Sequence, residues 1–159
     1  MTLKEWIEQN QDKEVRIKED GSISITKKGD RWTPKLEDRY WIVTHDGGSE
    51  WSTWEDDYTD KNRYAIGNIF ETKEEADKTV EILKIRAQLK ACGGKEVWEM
   101  NGKQSVTIFY DPELKELDTW SGSSPDAWAV CFDTHAQAQV AAEKVGKERI
   151  KKYLFGVEE

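Results

Sequence analysis

The chain reads as an α+β protein: an N-terminal helix and β-hairpin, then two related units, each an antiparallel β-meander followed by a helix. Three observations predict this. Short runs rich in β-branched and aromatic residues come in sets bounded by turn residues, as the strands of a small meander do. Two longer helical patterns each begin at a capping box. The residues around the two boxes also match. Phe70-Glu71-Thr72-Lys73-Glu74-Glu75-Ala76 and Phe132-Asp133-Thr134-His135-Ala136-Gln137-Ala138 both read Phe, acid, Thr, two free positions, Glu or Gln, Ala. A Trp precedes each, Trp54 before the first and Trp120 before the second. The expected organisation is 1–30 for the N-terminal helix and hairpin, 31–94 for the first unit and 95–159 for the second.

Residues 2–10 predict a short amphipathic helix, with Thr2 and Glu5 as a capping box and Leu3, Trp6 and Ile7 on one face. Val15 and Ile17, then Ile23 and Ile25, alternate as half-buried strands. A two-residue Asp20-Gly21 loop would set Ile17 opposite Ser24 and mix the faces. A three-residue loop ending in a left-handed Gly21 pairs Ile17 with Ile23 and Val15 with Ile25, and this register is expected. Residues 27–34 are a polar connection ending in a proline. Residues 39–44 (RYWIVT) form a strand, His45-Asp46-Gly47-Gly48 a turn, and 50–54 pair back. Residues 56–62 are too polar for a core strand and are expected as a loop or a single helical turn.

Ile69-Phe70 rejoins the sheet before a helix over 72–91. Its apolar stripe is Ala76, Val80, Leu83 and Ala87, widened by Ile82, Ile85 and Leu89, and Gly93-Gly94 stops it. In the second unit Val97-Trp98 begins a strand, 106–111 (VTIFYD) is the clearest one, and Pro112 ends it. Residues 117–120 pair next, SGSSPD is a loop, and 127–132 close the meander. A helix from Thr134 stops near Gly146. A last one runs from 147 to 155 and ends at Gly156.

At 159 residues the chain suits one domain or two small ones sharing a core. Eight Trp argue for a folded chain, because disordered segments are poor in aromatics. A formal net charge of −8 disfavours direct nucleic-acid binding, which needs a concentrated basic face, and suits a partner with a basic surface. The spacing of Cys92 and Cys131 matches no metal or redox motif, so both are expected as reduced structural thiols. The charged N-terminus is unlike a signal peptide and no apolar run approaches a membrane span, so the expected location is the cytoplasm, with no membrane partner.

The residues with functional potential are acids, one base and indoles. Asp56, Asp57 and Asp60 stand near Arg63. Their spacing does not fit a calcium loop, and the simpler reading is that Asp57 or Asp60 caps a turn and pairs with Arg63. His45 and His135 are the only histidines. No His-x-x-x-His, Gly-rich phosphate loop or nucleophile elbow occurs, so no catalysis, no cofactor and no metal are expected. Gly67-Asn68 is a turn. Trp41 reads as core. Trp51, Trp54 and Trp120 lie in polar stretches beside loops, where they either plug the core or offer an aromatic platform. The expected partner-binding set is Trp51, Trp54, Asp56, Asp57, Asp60, Arg63, Asn68 and Trp120.

The run Trp54, Asp57, Asp60, Arg63, Gly67, Asn68, Phe70, Thr72, Glu74, Glu75, Ala76 (W…D…R…GN.F.T.EEA) resembles a segment of small phage and prophage proteins of Gram-positive bacteria, with Asp60 one position off the usual acid. The closing KERIKKYLFGVEE and the earlier FYD resemble them too. The likeness covers 31–90 well and 105–157 loosely, and leaves out the first 30 residues. It implies a genomic setting and an accessory role against the host, not a mechanism.

The expected function is therefore non-catalytic binding of a host or phage protein with a basic surface, as an accessory or anti-defence (for example anti-CRISPR-like) inhibitor in the host cytoplasm. The alternatives are a nucleotide or signalling-molecule sequestering protein, using the indoles and Arg63, and an acidic nucleic-acid mimic. Interleaved lysines count against the mimic.

Overall fold

A computed structural model describes residues 13–17, 21, 23–27, 31–96, 104–123 and 129–157. The helix expected over 2–10 and the strand start at Val97-Trp98 lie outside them. Among the described residues the protein is α+β. In order the elements are β1 (Lys13–Ile17), β2 (Ile23–Lys27), β3 (Arg39–Val43), β4 (Ser49–Thr53), α1 (Tyr58–Ala65), α2 (Lys73–Ala91), β5 (Ser105–Asp111), β6 (Glu116–Gly122), β7 (Cys131–Phe132), α3 (His135–Val145) and α4 (Lys147–Phe155). β1 and β2 pair antiparallel with Val15 opposite Ile25 and Ile17 opposite Ile23, and Gly21 has φ +80°, as same-face pairing requires.

The chain divides into two compact units, 1–80 and 81–159, with the divide inside α2. The packing explains the position. Ile85 and Leu89 sit in one core with Val106 and Phe132 of the second unit. Leu83 and Ala87, expected on the apolar stripe, are exposed; the buried positions of α2 are Ala76, Val80, Ile85 and Leu89.

In the first unit β3 and β4 form an antiparallel hairpin with Trp41 opposite Trp51. Phe70 then bridges to Trp41 on the other side of β3, through N–H···O bonds of 2.8 and 2.9 Å. Asn68 continues this seam with its side chain: Oδ1 accepts from Val43 N at 2.7 Å and Nδ2 donates to Val43 O at 2.9 Å. Alternation along β3 turns Tyr40 and Ile42 into a core with Trp54 and Ile69, against which Trp32 and Tyr64 pack.

The segment expected as a loop or single turn is the two-turn helix α1. Asp57 caps it, accepting from Asp60 N at 2.8 Å, and Asp60, Arg63 and Tyr64 share its inward face at i, i+3, i+4. No apolar stripe marks this helix, because its inward face is made of an acid, a base and a tyrosine.

The second unit follows the same plan. β5 and β6 form the hairpin, and β7 pairs on the far side of β5, with Phe132 opposite Val106. The strand expected over 127–132 is confined to Cys131–Phe132 among the described residues. In both units a strand-end Phe joins the first hairpin strand, and a Thr two residues later caps the next helix. Glu75 N donates to Thr72 Oγ1 at 3.3 Å and Gln137 N to Thr134 Oγ1 at 3.2 Å. Ala138, Ala141 and Ala142 give α3 a small-residue face buried in the core with Phe132, Val145 and Ile150. Arg149 of α4 reaches back to α2, donating to Glu81 at 2.9 Å and to Gln88 at 2.7 Å.

α2 ends as the glycine pair predicts. Gly93 has φ +97°, Gly93 N donates to Lys90 O at 2.9 Å and Gly94 N to Leu89 O at 3.0 Å, a Schellman stop.

The two junction phenylalanines differ in burial: Phe132 has no exposed surface, while Phe70 is only partly buried. Chemical denaturation of Phe132→Ala is expected to show a loss of about 3–5 kcal/mol, and Phe70→Ala a smaller one.

Candidate functional site

Most of the sequence-predicted site residues fall in the first unit, around one buried carboxylate. Asp60 is 3% exposed. Its Oδ1 accepts from the Tyr40 hydroxyl at 2.5 Å and its Oδ2 from Glu55 N at 2.7 Å. Arg63 Nη1 donates to the same Tyr40 oxygen at 2.8 Å and to Ser52 Oγ at 3.4 Å. The expected Asp60–Arg63 pair is thus relayed through a phenol, in a ring of groups drawn from β3, β4, the 55–57 loop and α1.

Burial pushes the Asp60 carboxyl up. The bonds from Tyr40 and from backbone N–H groups, with the Arg63 charge, outweigh that and hold it below its ordinary value of 3.8. Burial, then the bond to Asp60, raises the Tyr40 phenol, against the opposing pull of Ser52 and Arg63.

This ring sorts the indoles. Trp54, 7% exposed, stands edge-on between Tyr40 (centroids 6.1 Å apart) and Tyr64 (6.3 Å). It is core, and so is Asp60; neither has surface to offer a partner. Arg63 is half-buried with Nη1 turned inward, and the Asn68 amide is bonded to Val43.

What remains outside is Trp51, Asp56 and Asp57. Trp51 lies on the sheet face opposite the Tyr40–Ile42 core, paired across the hairpin with Trp41. The start of α2 lies at the Trp41 side of that face: Lys73 Nζ is 5.8 Å from the Trp41 ring centre and the Ser49 hydroxyl donates to Asp77. Trp51 itself is 53% exposed, with the Arg39 guanidinium 4.2 Å from its ring centre. β4 is hydrogen-bonded to β3 along one edge, and its other edge borders no strand among the described residues.

Asp56, left-handed at φ +58°, is exposed and pairs with Lys61 at 3.3 Å; Asp57 is exposed beside it. Sequence reasoning missed Tyr58, which is 81% exposed at the first position of α1, as well as Arg39 and the exposed Glu50 and Glu55. Arg39 could have been found from register, since the Trp41–Trp51 pairing puts it diagonally across from Trp51.

Trp120 belongs to the second unit. It is 55% exposed on β6, opposite Thr107, with its ring over Gly122, where a Cβ would stand 2.3 Å from ring carbons. The shared position of Trp54 and Trp120 in the sequence repeat is therefore not a shared environment.

Of the histidines, His45 is exposed and His135 Nδ1 lies 2.7 Å from Thr119 Oγ1. Cys92 and Cys131 are not joined to each other in a disulfide, and the Cys131 thiol donates to Ala129 O at 3.8 Å. Among the described residues no group of three or more His, Cys, Asp or Glu is placed to hold a metal ion, and no helix is long and apolar enough to cross a membrane. No protein-family model, curated protein or solved structure matches the chain.

Two outcomes test the buried ring. Tyr40→Phe, which leaves Asp60 one donor short, is expected to cost about 1–3 kcal/mol in urea unfolding. Because the folded-state pKa of Asp60 lies below its unfolded value, its carboxylate stabilises the fold above the ordinary aspartate range. That stability is lost as pH falls through the folded value. Over about pH 2–6, Asp60→Asn should therefore show a flatter acid limb in stability than the wild type.

Proposed function

We propose that this chain is a non-catalytic binding protein that docks through its first unit onto a basic surface of another protein. One observation carries the reading: the half-exposed Trp51, stacked by Arg39 on an open-edged strand, in a stretch whose exposed side chains are largely acidic. Between Asp46 and Asp60 the sequence has six acids and no Lys or Arg. Of these, Asp46, Glu50, Glu55, Asp56 and Asp57 are exposed, as is Tyr58. An exposed aromatic anchor held by a neighbouring side chain, on a unit whose 46–60 stretch exposes five acids, has the composition of a docking surface. The indole supplies desolvated contact area, and the acids steer and orient a cationic partner.

The resemblance of residues 31–90 to phage and prophage proteins favours a partner in a bacterial host and an accessory, anti-defence role for the complex. Nucleotide sequestration fits the first unit less well. It would ask Arg63 to face a phosphate, and the Nη1 of that guanidinium is engaged with Tyr40 and Ser52.

The experiment is affinity capture from a host lysate at low salt, comparing the wild type with Trp51→Ser/Tyr58→Ser. The expected result is a specific partner retained by the wild type and released by rising salt. The double variant should bind it at least tenfold more weakly with unchanged thermal stability, since a central Trp anchor contributes about 2 kcal/mol or more. Capture of no partner, or equal capture by the folded double variant, would contradict the reading.

A further inference from the structure

The second unit contains a pocket of about 310 Å³. Its walls come from α2 (Arg86, Leu89), β5 (Thr107 to Phe109), the residues before β7 (Ala129, Val130) and α4 (Ile150, Leu154, Phe155). The pocket arises from a mismatch in strand length. β5 pairs with β6 along its whole length to Asp111, but β7 meets it only at Val106 and Thr107. Past that point the described residues that line the pocket with β5 are Ala129 and Val130 and residues of α4 and α2. Leu89 (2% exposed) and Ile150 (0%) form part of its wall and belong to the core, so this part of the wall is fixed before any ligand arrives.

We propose that this pocket binds a small apolar molecule bearing one carboxylate, its hydrocarbon body against Leu89, Phe109 and Leu154 and its carboxylate on Arg86. The size matches the lower end of ligand sites, with ample room for a body of about ten heavy atoms. Among the described residues the lining side chains are apolar apart from the Thr107 hydroxyl and Arg86, and Arg86 is the one charged side chain among them. A planar guanidinium fits a carboxylate with two parallel N–H···O bonds. With five N–H donors it can do so while keeping another partner. One Arg suits a monoanion; a phosphate dianion would call for a second base. This inference does not depend on the docking patch, which belongs to the other unit.

The test is calorimetric titration of the full chain with octanoate and, separately, with 1-octanol as the neutral counterpart. Octanoate is expected to bind one to one and about tenfold or more tighter than octanol, the margin of a charge-assisted hydrogen-bonded pair. Arg86→Gln should remove that margin by weakening octanoate and leaving octanol unchanged, and Ala129→Trp should block both. Arg86 is half-buried at the pocket wall, so its variant keeps the test decisive should Ala129→Trp fail to fold. Equal affinity of the wild type for the two probes, unchanged octanoate affinity in Arg86→Gln, or no octanoate binding up to about millimolar concentration would overturn the proposal.

Discussion

A single carboxylate decides which way the first unit faces. Asp60 takes the Tyr40 hydroxyl on one oxygen and the Glu55 backbone on the other, so the loop from 55 to 57 is tied to the core at both ends. With that loop pinned, Trp54 goes inward between two tyrosines while Asp56, Asp57 and Tyr58 are left facing solvent. A buried charge is costly unless its lone pairs are met. Here the donors include a phenol and a backbone amide, and the phenol is itself held by Arg63. The other acids of this stretch stay exposed while one acid among them serves the fold.

Each unit rests on the same junction: a strand-end Phe that joins the first hairpin strand, then a Thr that starts the helix. It joins period-two pairing to helical packing within three residues, which leaves little freedom for alternative registers. The units then diverge in what they bury. The first packs tyrosines and a Trp around polar groups, whereas the second packs an alanine-faced helix against Val106 and Phe132. The acid-rich stretch that carries Trp51 lies in the first unit and the pocket in the second.

Features specified by neighbouring residues were legible in the sequence. The hairpin register follows from matching Val15 with Ile25 and Ile17 with Ile23. Both Thr caps, the Gly93-Gly94 stop and the end of the last helix at Gly156 follow from local backbone chemistry. What was hidden depends on contacts distant in sequence. α1 shows no apolar stripe because its inward face is Asp60, Arg63 and Tyr64, and only the position of Tyr40, about twenty residues earlier, makes that face buryable. Trp51 and Trp54 sit three apart in similar polar surroundings. The hairpin puts one on each side of the sheet, and this was not readable from composition. Tyr58 was overlooked for the same reason: its exposure follows from the helix that starts there.

The most direct test of this account is the titration of the Asp60 side-chain carboxyl, followed by its ¹³C chemical shift in the intact protein. The account predicts a midpoint clearly below 3.8, with the Tyr40 ring signals responding at the same pH. A midpoint at or above that value, or a Tyr40 ring indifferent to it, would mean that the loop is not held by this carboxylate and that the outward set of Asp56, Asp57 and Tyr58 has no such cause.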